Sequence, residues 1–166
     1  MFSAIAIVLQ YFGQFIKVAG FLEFEISDYP AILASFAFGP LSGLIVELIK
    51  NLIHCLYTTT AFSGELANFL VNGTFVLTCG YIYKHNKTKK TALVSLLVAT
   101  VVMTITATLY NYFVLIPLYI QNISPQDKLN LVLTVITPFN FIRAVVLSAV
   151  AYITYKPVSR ILIKKN

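Results

Sequence analysis

Residues 131–156 form an apolar run long enough to cross a bilayer, and Asn140 and Arg143 lie about 12 Å inside it. Asn111 sits at similar depth in the run before. Lipid offers a guanidinium no hydrogen-bond acceptor, so Arg143 must face a bundle interior or a watery cavity. A spanning length with an embedded arginine therefore points to an all-α integral membrane protein built around a buried polar site. Similar runs recur along the 166 residues, and no stretch is charged enough to form a soluble domain beside them. The mean hydropathy of +0.84 agrees, and residues 1–166 read as one transmembrane domain.

The net charge of +6 has a topological explanation. Lys84, Lys87, Lys89 and Lys90 form one cluster, and Lys156, Arg160, Lys164 and Lys165 form another. Both flank the ends of apolar spans, which places both on the cytoplasmic side and makes a nucleic-acid role unnecessary. Six helical spans fit, at about 2–19, 30–38, 41–57, 65–83, 91–116 and 131–155, with Pro117 closing the fifth. An even number of crossings leaves both termini cytoplasmic and the loops near 20–29, 58–64 and 120–130 outside. The second span is too short to cross alone and must tilt, thin the bilayer or be shielded by neighbours. The first carries Gln10, Gln14 and Lys17 and lacks a cleavage site, so it reads as a span and not a signal peptide. Cys55 and Cys79 have no metal-ligand spacing and read as small core residues.

Asn140 and Arg143 share a helix face through their i, i+3 spacing, and Pro138 starts the segment above them. Asn111 lies between Tyr110 and Tyr112, and Glu65, Asn68 and Asn72 follow one face of the fourth span. Polar groups from three helices are thus expected at one level in the outer half, among aromatic and aliphatic side chains. That composition suits an uncharged or weakly charged flat ligand rich in hydrogen-bonding atoms. A second stripe in the third span contains Glu47, Lys50 or Asn51, His54 and Thr58. Glu47 and Lys50 can pair at i, i+3; an ion path is the alternative use of that stripe. His54 lacks a second ligand at i+4, so no metal is expected. No HExxH, GxSxG, intramembrane aspartate pair or P-loop occurs, which argues against an enzyme and against ATP hydrolysis by this chain.

Four segments in order, FLEFEISDYPAILASFAFGPLSGLIVELIKNLIH, GELANFLVNGTFVL, NYFVLIPLY and PFNFIR, closely resemble the riboflavin-specific S components of energy-coupling-factor (ECF) vitamin transporters. The resemblance implies a six-helix protein of the bacterial cell membrane that captures riboflavin from outside. Riboflavin would be its transported ligand, not a cofactor. Delivery would follow from joining a transmembrane coupling subunit and two ATPase subunits. The resemblance also implies a pocket near the extracellular surface, formed by the loop after the first span and the outer ends of the fourth to sixth. Carried over by motif, Asn111 of NYF and Asn140 of PFN would hydrogen-bond the ligand. Asn68 of GELANF and the loop around Phe24 and Asp28 would contribute less, and Tyr110 and Glu65 complete the candidate set.

Two departures from the family pattern stand out. Arg143 replaces a common Lys, which substitutes a planar fork of donors for a point charge. The small-xxx-small docking pattern of the first span is incomplete: Val8 follows Ala4, and any earlier small partner would precede Met1, as if the sequence began late. Coupling-subunit docking is therefore assigned to Ser3, Ala4 and Ala6. Alternatives are a binder of flavin mononucleotide, with Arg143 meeting the phosphate, and a solitary ion-coupled carrier using Glu47 and Lys50.

Overall fold

The computed structural model describes the backbone of residues 1–13, 17–18, 22–23, 26–56 and 62–163, and the side chains of 1–13, 26–56 and 62–156. The helices are α1 (Phe2–Gly13), α2 (Tyr29–Phe38), α3 (Pro40–His54), α4 (Ser63–His85) and α5 (Lys89–Tyr119). The last, α6, begins with Pro125–Leu131 and runs on through Thr137–Ile163. Between α1 and α2 a short antiparallel hairpin pairs β1 (Lys17–Val18) with β2 (Leu22–Glu23), Lys17 opposite Glu23. Three helices, Ser63–His85, Lys89–Tyr119 and Pro125–Lys156, are long and apolar enough to cross a membrane.

Several boundaries depart from the sequence expectation for identifiable reasons. α1 ends at Gly13 instead of near residue 19, because the chain turns into the hairpin. α6 starts at Pro125, inside the segment read as a loop. Ser124 caps it by accepting from Asp127 N at 3.1 Å, its own hydroxyl donates to Asp127 Oδ2 at 2.7 Å, and Pro125 occupies the first turn. That is a helix-start signal in full. Pro117 does not stop α5 either. Just before it, Asn111–Leu115 widens into a π-helical turn, and Val132–Ile136 does the same just before Pro138 in α6. A proline ring clashes with the carbonyl four residues back and supplies no N–H, and a wider turn accommodates both defects without ending the helix.

α2 is the central element. Every residue from Pro30 to Phe36 is buried, so the short span is shielded by its neighbours, here α1, α3, α4 and α6. Its seams with α3 and α4 are made by backbone approach. A Cβ on Gly43 would lie 2.6 Å from Ala31 O, and one on Gly80 would collide with Ser35 Oγ of α2 and lie 2.9 Å from Pro40 Cα of α3. The outward faces carry Ile45, Leu52, Leu97, Val101, Phe141 and Ile142, all exposed, as lipid-facing positions require. Lys84, Lys87 and Lys89 mark one end of the bundle; His54, Ser63 and Tyr119 mark the opposite end, where His54 Nδ1 meets Glu65 Oε1 at 2.7 Å and the Ser63 and Tyr119 hydroxyls are in contact.

Candidate functional site

With ten residues against twenty-three in α4, α2 rises only about 15 Å from the lysine end, whereas α4 extends about 35 Å. The chain leading into α2 therefore arrives at mid-height, and it brings Ser27 and Asp28 into the bundle with no measurable exposure. Asp28 meets two cations there. Its Oδ1 contacts Lys50 Nζ, and its Oδ2 accepts from Arg143 Nη2 at 2.5 Å. Lys50 is wholly buried; it also pairs with Glu47, whose Oε2 is 2.8 Å away, and donates to Ser27 Oγ at 3.2 Å. The result is an alternating chain, Glu47, Lys50, Asp28, Arg143, that crosses from α3 to α6 and sums to zero charge.

Only the Glu47–Lys50 link in that chain was expected from spacing. The Asp28 links join positions far apart in sequence and reassign Arg143 from a free cation facing a ligand to one already held by a carboxylate. Four charges in a low-dielectric interior are tolerable because each has its opposite within hydrogen-bond reach; a lone one would not be.

Nearer the opposite end, α5 and α6 meet along a polar seam. The Thr108 and Thr137 hydroxyls are 2.8 Å apart, and Thr100 faces Ser148 at 3.1 Å. Because the two helices run in opposite directions, Asn111 lies one turn beyond the Thr108–Thr137 contact toward the opposite end, and Asn140 one turn back toward the lysines. The expectation that Asn111 and Asn140 share one level is thus corrected: they bracket the threonine pair. Each is buried and donates through Nδ2 to the carbonyl four residues earlier, Asn111 to Ala107 O at 2.8 Å and Asn140 to Ile136 O at 2.9 Å. Those bonds fix the side-chain amides and direct Oδ1 away from their own helices. Asn111 opens one π-turn, and the Asn140 acceptor Ile136 closes the other. Such turns recur at functional sites because they re-aim side chains.

α4 packs along α5. Glu65 is buried, Asn68 half-buried, and Asn72 donates to Asn68 Oδ1 at 2.9 Å. Tyr110 is half-buried beside Asn111. A small apolar cluster of Ile116, Val132 and Ile136, with Tyr112 packed on it, closes the α5–α6 seam toward the opposite end. Lys128 lies 4.1 Å from the centre of the Tyr112 ring. Phe24 and Thr58 lie outside the described residues. In α1, Ala4 is exposed, Ser3 half-buried and Ala6 completely buried against the bundle, so Ala6 is unavailable to a partner in this arrangement. Cys79 is buried as expected, but Cys55 caps the end of α3 and is partly exposed.

Comparison with known proteins places this arrangement in context. Residues 1–155 match the family described as ECF transporter, substrate-specific component. The chain is 39% identical, over 98% of its length and 88% of the relative's, to the riboflavin transporter RibU of Staphylococcus aureus. It is 32% identical to the riboflavin transporter FmnP of Bacillus subtilis, over 95% of this chain and 89% of that one. A solved structure described as the S component of a bacterial ECF transporter aligns with a TM-score of 0.83 and 40% identity, covering 98% of this chain and 93% of the other.

Proposed function

The chain belongs to the substrate-specific components of ECF transporters, and from that premise we propose that it is the riboflavin-binding subunit of such a transporter. The family is one of transport and not of catalysis, and the multi-pass helical fold fits it. The observation that carries the reading to a site is that Asn111, Asn140 and Arg143 are all buried, at successive levels along α5 and α6 beside their π-turns and above the start of the short α2. In this proposal the lysine end is cytoplasmic, as are both termini, and the pocket opens toward the extracellular side. Phe24 and Asp28, from the segment before α2, are assigned to its lining.

Each side chain has a definite task in this reading. The isoalloxazine ring presents alternating donors and acceptors on its pyrimidine edge. Asn111 and Asn140, with Nδ2 tied to the backbone, offer oriented amides to the ligand at two separate levels, and Asn68, Tyr110 and Glu65 line the approach from α4 and α5. Arg143 touches the ligand with the part of its fork that Asp28 leaves available, so its direction is set before the ligand arrives. Delivery depends on a coupling subunit and two ATPase subunits in the bacterial cell membrane, because this chain carries no nucleotide-binding motif.

The ionic chain disfavours both alternatives. With Arg143 neutralised by Asp28, the site offers flavin mononucleotide no uncompensated cation for its phosphate. Glu47 and Lys50 are committed to a four-membered chain, which is a poor starting point for a solitary ion-coupled carrier. The test is titration of detergent-purified protein with riboflavin and flavin mononucleotide, read by quenching of flavin fluorescence, with the absorbance spectrum of the protein as isolated. Saturable quenching by riboflavin at sub-micromolar concentration supports the assignment. Absence of quenching by either flavin would remove riboflavin as the substrate while leaving the family intact.

A further inference from the structure

The break between α2 and α3 leaves a cavity of about 270 Å³ at the lysine end, remote from the polar seam. Gly39 creates it: with φ at 104° and ψ at 166° it turns the chain sharply, and open space lies where a Cβ would stand. One wall is the end of α2 and the first turn of α3, Ser35 to Leu41, and the other is the last turns of α4, Tyr81 to Lys84, with Lys87 just beyond them. The rim is apolar and open to the surroundings, with Phe38 58%, Leu41 63% and Tyr81 51% exposed. Lys84 and Lys87 also line the cavity and are exposed, and neither forms an ion pair among the described residues. No Asp or Glu occurs between Glu65 and Asp127, so the field of Lys84, Lys87, Lys89 and Lys90 is not offset locally. The positive end of the α3 dipole adds to it.

An uncompensated basic cavity with an exposed apolar rim, on a chain immersed in lipid, fits an amphipathic anion. We propose that this cavity binds the headgroup of an anionic phospholipid, with Lys84 and Lys87 on the phosphate and an acyl chain laid along Phe38 and Leu41. A free phosphate would gain nothing from the apolar rim, and a zwitterionic lipid carries its own cation to the lysines. Basic pockets between transmembrane helices recognise anionic headgroups on this principle.

The test uses the full chain purified in detergent, with phosphatidylglycerol or phosphatidylcholine added, read by native mass spectrometry and by the midpoint of thermal unfolding. Phosphatidylglycerol is expected to remain bound and to raise the midpoint, and phosphatidylcholine to do neither. In the Lys84→Gln/Lys87→Gln variant, binding of phosphatidylglycerol should weaken roughly 10- to 30-fold. The Lys89→Gln/Lys90→Gln variant, which removes equal charge outside the cavity, should keep it. Flavin binding serves as the check that both variants fold. Equal effects of the two lipids on the unaltered protein would overturn the proposal, and so would equal losses in the two variants, which would mean diffuse attraction. A midpoint shift from glycerol 3-phosphate as large as that from phosphatidylglycerol would replace the lipid with a free phosphate.

Discussion

α3 is held to its neighbours by opposite physics at its two ends. Toward the lysine end, Gly43 and Gly80 let backbones touch: Ala31 O, Ser35 and Pro40 occupy the space that side chains would need. Toward the other end the same helix presents Glu47, Lys50 and Asn51, and closure depends on Asp28 arriving from another segment. The first region is closed by shape and has one solution. The second is closed by compensating charges, and it stays closed only while every member of the chain is present. A transport protein needs a part that holds and a part that can be released, and the two regions separate those demands along one helix.

The largest predicted effect breaks the charged region. Asp28→Ala leaves Lys50 with Glu47 alone and Arg143 without its carboxylate, and should cost about 3–5 kcal/mol, measured as loss of thermal stability in detergent. Asp28→Asn combined with Arg143→Gln should lose clearly less than Asp28→Asn alone, since the remaining Glu47–Lys50 pair is balanced. An additive double variant would show that the chain is not an electrostatic unit. Next comes the shape-closed region. Gly43→Val drives a side chain toward Val76 and the Ala31 carbonyl, and because a backbone atom cannot step aside the cost should approach about 3 kcal/mol. An unchanged unfolding midpoint would mean that the seam is looser than its geometry.

These two regions were unequally legible in the sequence, and the reason is physical. The short apolar α2 is a local feature, and the six-helix count follows from apolar runs alone, whereas the close approach at Gly43 and Gly80 shows only once the helices are packed. Glu47 and Lys50 announce their pairing because a helix places i and i+3 together. Asp28 announces nothing: its partners are 22 and 115 residues away, and no local rule relates them. The prolines misled in a different manner. Pro117 predicts a stop, which is the usual outcome in water, but a helix in lipid that ends early strands backbone groups, and a π-turn at Asn111–Leu115 is the cheaper remedy. Ser124, Pro125 and Asp127 carry the start signal of α6, but the surrounding QNISPQDK is polar enough to resemble a loop.

Substitutions at the α5–α6 seam should affect the ligand more than the fold. Asn140→Ala and Asn111→Ala each remove a side chain whose bond to its own helix contributes little, so the unfolding midpoint should barely move. Riboflavin affinity should fall roughly 10- to 100-fold in each, because a site shaped for an amide partner leaves ligand atoms unpaired when it is gone. Fluorescence titration checks this. Normal affinity in both variants would sink the assignment of these residues and shift attention to Asn68 and the segment before α2.

The smallest effect is the most discriminating for the seam itself. Thr108 donates to Thr104 O at 2.8 Å and also meets the Thr137 hydroxyl, so it already has a partner in its own helix. Thr108→Val keeps the branched shape and removes the hydroxyl, and the freed Thr137 can turn to a carbonyl of its own helix. Interhelical hydrogen bonds in membranes average only about 0.6 kcal/mol for this reason: the separated helices also find partners. The unfolding midpoint of Thr108→Val should therefore fall by about 1–2 °C at most. A loss comparable to that of Gly43→Val would place the α5–α6 seam among the fixed parts of the molecule. A small loss leaves it as the adaptable wall, fastened by weak and replaceable contacts, which suits helices that border a ligand entering and leaving.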